Sequence, residues 1–177
     1  MARRDAWVTK ALKPAELRAF ADEHLAYEIE MLFAAVRTRD VRLLSDDPSL
    51  LSFFHNARVE AFVSHLRTLI GFLFPDVYRP KRNDVTARHY VESSGRQGEW
   101  EDWRGPLSDA MRSAKDRADK EVSHLTDRRI AAIPPEKEWV IEPLANELRE
   151  ILLRFVAVAE AERLGERVSA LVPRVPF

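Results

Sequence analysis

The sequence predicts an all-α fold: a single four-helix bundle-like domain with a long loop inserted between its second and third helices. Three observations carry this. Only five of 177 residues are glycine, while Ala, Leu, Glu and Arg, all good helix formers, are plentiful. Apolar residues recur at three- and four-residue spacing through four long stretches. The short apolar piece Trp139-Val140-Ile141 is too brief to support a strand.

The first helix is expected over about 14–39. Pro14 suits the first helical turn, and Leu17, Ala21, Leu25, Ile29, Leu32 and Val36 form its stripe. The second is expected over about 48–74, with Asp47 as N-cap, Pro48 at the first helical position and Pro75 closing it. Phe54, Phe62, Leu66, Leu69 and Leu73 mark its apolar face. It is apolar on more than one side, which predicts a central position and a homodimer contact. Residues 76–106 read as loop apart from a short helix near 84–91, and Trp100 and Trp103 should pin that loop to the bundle. The third helix, about 107–129, carries Leu107, Met111, Ala114, Ala118, Val122 and Leu125. The fourth, about 143–164, carries Leu144, Leu148, Ile151, Leu152, Phe155 and Ala159, and Gly165 breaks it.

Composition narrows the function classes. The formal net charge of -1 and pI near 6.5 argue against a whole-surface attraction to nucleic acid, while leaving room for a local basic site. With no cysteine there is no disulfide framework, zinc–cysteine site or thiol nucleophile. No apolar run of signal-peptide length follows the N-terminus, and the longest greasy stretch, 68–75, is too short to span a bilayer. A cytoplasmic protein without a membrane partner is therefore expected. A Gly-rich phosphate loop, a GxSxG elbow and a dinucleotide fingerprint are all missing, which argues against nucleotide-driven enzymes and serine hydrolases.

The segment Arg117-Ala-Asp-Lys-Glu-Val-Ser-His124, continued by Leu-Thr-Asp-Arg128, is the sharpest candidate site. Seven residues are almost two helical turns, so Arg117 and His124 share one edge, with Arg128 further along it. They fall on the shoulder of the apolar stripe. There Arg117 and Arg128 would neutralise phosphate and His124 would move a proton. The plain alternative pairs Arg117 with Glu121 at i,i+4 and leaves the rest as solvated charges. Arg58 and His65 repeat the spacing on the second helix, where His65 reads as a hydrogen-bonded core histidine.

An arginine and a histidine so spaced near the end of a bundle helix resemble the motif of the HEPN superfamily. The stretch Lys120-Glu-Val-Ser-His124-Leu125 is also similar to that around the histidine in some phage-defence HEPN families. The resemblance implies a small all-α domain that binds nucleotide or cleaves RNA without metal at a dimer interface. Arg117 would then hold the scissile phosphate and His124 act as general acid/base. The chain departs from the common form in having Ala118, rather than a polar residue, after the arginine.

Two further readings stand beside it. One is a non-catalytic helical interaction or dimerisation protein, using the apolar surplus of the second helix. The other is a metal-binding helical-bundle enzyme built from His24, Glu28, His65 and His124. The one Glu-x-x-His pair, Glu121 and His124, does not recur on a second helix, so no metal and no cofactor are expected. The basic turn Arg79-Pro80-Lys81-Arg82 is a possible phosphate contact, though such short charged loops are usually solvated.

Overall fold

Helix is the only regular structure among the described residues of the computed structural model, which are 11–38, 46–91, 100–121 and 138–175. The first predicted helix is continuous in space but changes winding. An α-helix, α1 (Pro14–Phe20), runs into a π turn, Ala21–Leu25, and then into α2 (Ala26–Arg37). Lys13 N–H donates to the Glu16 carboxylate at 2.7 Å and secures the start. Within the π turn the Ala26 amide reaches back five residues to the Ala21 carbonyl. The widened turn is locked from outside by Arg167, which donates to the Asp22 carbonyl at 2.8 Å and pairs with Glu30.

The second helix, α3 (Pro48–Leu73), begins as predicted, with the Asp47 carboxylate accepting from Ser49 N–H at 2.8 Å. Its C-terminal half packs between α2 and α6 (Asp109–Glu121), burying Phe62, Leu66, Leu69 and Leu73. Its N-terminal half, including Phe54, is exposed. The connection after α3 is no bare loop. It holds two short helices, α4 (Arg88–Val91) and α5 (Trp100–Arg104), and they reach the core. Trp100 is fully buried and donates from Nε1 to the Leu73 carbonyl at 2.7 Å; Tyr90 donates from its hydroxyl to the Leu17 carbonyl at 3.0 Å. Both rings meet Phe155 edge-on. Trp103 takes no part in this anchor and stays 43% exposed.

The stripe of α6 is buried at Met111, Ala114 and Ala118, while Val122 and Leu125 lie outside the described residues. The last predicted helix is shorter than expected. It is α7 (Ile141–Val158), and the chain turns extended at Ala159, so that Glu160 N–H bonds the Tyr90 carbonyl at 2.9 Å. A short α8 (Ala161–Leu164), Gly165 at φ 77°, and α9 (Glu166–Leu171) follow. Among the described residues no helix is long and apolar enough to cross a membrane.

Candidate functional site

Of the three residues predicted on the shoulder of the third helix, the structure describes one. His124 and Arg128 lie outside the described residues. Arg117 sits on α6 and is half-buried. Its Nη1 donates to the Glu138 carbonyl at 2.8 Å, and its guanidinium lies 4.2 Å above the Trp139 ring. These contacts tie α6 to the segment entering α7, which is a structural use of the guanidinium.

Of the histidines proposed as metal ligands, His124 lies outside the described residues, and His24 and His65 make different contacts. His65 is half-buried, as its greasy surroundings suggest, and its Nδ1 lies 2.8 Å from Glu28 Oε2 with Tyr27 edge-on to the imidazole. His24 is exposed and packs on Phe20 instead. Among the described residues no three His, Asp or Glu side chains are grouped as a metal ion requires.

What the fold does assemble is a cleft of about 780 Å³ beside the π turn. Phe20, His24 and Glu28 line it from the first helix, Arg67, Thr68 and Phe72 from α3, and Lys115 from α6. The chain just after α3 supplies Tyr78, Arg79 and Lys81. Local hydrogen bonds shape that segment. Tyr78 N–H bonds the Phe74 carbonyl, Lys81 N–H donates to the Asp84 carboxylate at 2.7 Å, and Ala87 N–H returns to the Phe72 carbonyl at 3.0 Å. The predicted basic turn is thereby folded back over the end of α3, with Arg79, Pro80 and Lys81 on the cleft.

Cations lead in the lining of the cleft, although Arg67 and Lys115 share the Asp119 carboxylate. Arg67, Arg79, Lys81 and Lys115 outnumber Glu28 and Asp84. Lys115 is nearly buried, 2.8 Å from Asp119 Oδ2 and 4.1 Å above the Tyr78 ring, and Arg67 also bonds Asp119. Burial works to raise the Asp119 pKa, but the hydrogen bonds and charges of Lys115 and Arg67 outweigh it and hold the carboxyl below its ordinary value. Burial and then the nearby Asp116 push Tyr78 above the ordinary tyrosine value, and among the described residues its buried hydroxyl has no hydrogen-bond partner. Such an arrangement can hold an anion against the cations while a ring lies against Phe20 or Tyr78. The sequence signals only the turn 79–82; Arg67 and Lys115 come from separate helices, and no spacing connects them. Comparison of the chain with family models, characterised proteins and solved structures returns no match.

Proposed function

We propose that the chain is a helical domain that binds a nucleotide in this cleft, the nucleotide-binding form of the HEPN-like reading, in a cytoplasmic setting. The observation that carries it is the convergence of cations from α3, α6 and the 79–81 turn on one aromatic-walled cleft. Guanidinium and ammonium groups take phosphate oxygens, and aromatic faces take a base. The volume lies in the range of small-ligand sites, roughly 300–1,000 Å³.

Calorimetric titration with a panel of mono-, di- and trinucleotides tests this. Lys81→Ala and Arg79→Ala should each weaken binding about 10-fold, the worth of one charge-assisted hydrogen bond, and Lys81→Ala should do so at unchanged melting temperature. No binding across the panel sinks the proposal. Arg117→Ala should leave the affinity alone and lower stability by about 1 kcal/mol, because its bonds are structural. RNA cleavage in the presence of chelator, lost in both Arg117→Ala and His124→Ala, would instead make the chain a ribonuclease with Arg117, His124 and Arg128 as its site.

A homodimer is the second element of the proposal. What favours it is the exposed apolar half of α3.

A further inference from the structure

α3 changes character along its length. From Phe62 onward its apolar side chains are core, whereas residues 46–57 are exposed at every position. Leu50 (40%), Leu51 (41%), Phe53 (63%) and Phe54 (43%) stand out there. Between Pro48 and Ala57 there is no Asp, Glu, Lys or Arg, in a chain of which 32% is charged. Charge depletion with aromatic enrichment is the compositional mark of an interface core.

At about 100° per residue, Leu50, Phe53, Phe54 and Ala57 share one face. Asp47 and Arg58 flank that face on the same side, at its two ends. We propose that this face pairs with the same face of a second copy, antiparallel, about a two-fold axis near Ser52 and Phe53; this rests on the homodimer reading above. In an antiparallel pair related by such an axis, each flank meets the same flank of its partner. The acidic start of α3 in one copy then lies beside Arg58 of the other. Parallel pairing would bring both acidic starts to one end and both arginines to the other and match no acid with an arginine, so the end charges select the antiparallel register.

Size fixes the strength. At roughly 200 Å² per large side chain, Leu50, Phe53 and Phe54 offer roughly 300 Å² per copy. The pair falls short of the roughly 1,200 Å² at which standard interfaces begin, so the dimer is weak and reversible.

Sedimentation of the whole chain over a dilution series tests the pairing. A reversible monomer–dimer equilibrium is expected. Phe53→Glu should raise its dissociation constant about 10-fold or more, at unchanged helicity and melting temperature. Phe54→Ser gives the same reading should the first variant misfold. Arg58→Glu should weaken the dimer by a smaller factor, and Trp103→Glu, at an exposed aromatic elsewhere, should not change it. A monomer at the highest soluble concentration overturns both the homodimer and this pairing. A dimer that both phenylalanine variants leave intact keeps the homodimer and removes this face. A dimer that Arg58→Glu leaves unchanged or strengthens overturns the antiparallel register.

Discussion

Residue by residue, the charges that matter most are those taken inward. Arg104 is 4% exposed, lies 4.1 Å above the Phe74 ring and bonds Asp76, whose carboxylate still meets water. Burial lowers the Arg104 pKa against the raising influence of Asp76 and Glu101. The two partners are therefore unequal. Asp76→Ala strands a cation in the core and should cost about 3 kcal/mol, whereas Arg104→Met leaves only a hydrated carboxylate and should cost about 1 kcal/mol. Urea midpoints read the order directly, and the reverse order would refute it. Asp119 makes a pH prediction. Its folded pKa is depressed, so its stabilisation is present above the unfolded carboxylate value, about 3.9, and is lost as pH falls through the folded one. Asp119→Asn should flatten the acid limb of a stability–pH curve below about pH 4; equal limbs would contradict this. Side chains like these are poorly legible in a sequence. Arg67, Lys115 and Asp119 meet only because α3 and α6 pack, and neither helix alone marks them.

Among the elements, the first helix shows how much a spacing can reveal. Leu17, Ala21, Leu25 and Ile29 are four apart three times over, and all are buried. On a regular α-helix that pattern drifts by about 120°. The π turn absorbs the drift, so the run of fours was its signal, and a reading by apolar stripe alone passes over it. The same logic locates the break in the last helix. Gly165 is right as a break, but Ala159 ends α7 earlier, where Glu160 is claimed by the Tyr90 carbonyl. Gly165 holds φ 77° and ψ 176°, a region only glycine occupies readily, and a Cβ there would meet Asp22 Oδ1 at 2.6 Å. Gly165→Ala should lower stability by about 1–3 kcal/mol, seen as a drop in denaturation midpoint at unchanged slope. A neutral result would mean that α9 does not hold the π turn as tightly as Asp22 and Arg167 imply.

In the molecule as a whole, the segment 76–106 is the part the sequence described least well. Its anchors, Tyr90 and Trp100, are ten residues apart with no period between them, yet they join α1, α3 and α7 through Leu17, Leu73 and Phe155. The long helices were legible because burial there repeats with the helical turn; a crossing segment buries single aromatics at irregular intervals. Trp100→Phe should cost about 1–3 kcal/mol, since it leaves the Leu73 carbonyl without its buried donor. Unfolding followed by both tryptophan emission and far-UV dichroism should shift together, because the anchor joins α1, α3 and α7.

The π turn has a consequence best put in terms of insertion and deletion. A π turn is an α-helix with one residue added. The wall of the cleft is then keyed by chain length as well as by side-chain identity. If 14–37 wound as plain α-helix with every residue kept, everything before the turn would rotate by about 100° against everything after it, whereas deleting the exposed Glu23 along with the rewinding would restore the phase. In the rewound helix of unchanged length Phe20 and Glu28 could no longer face the same cleft; in the helix one residue shorter they still would.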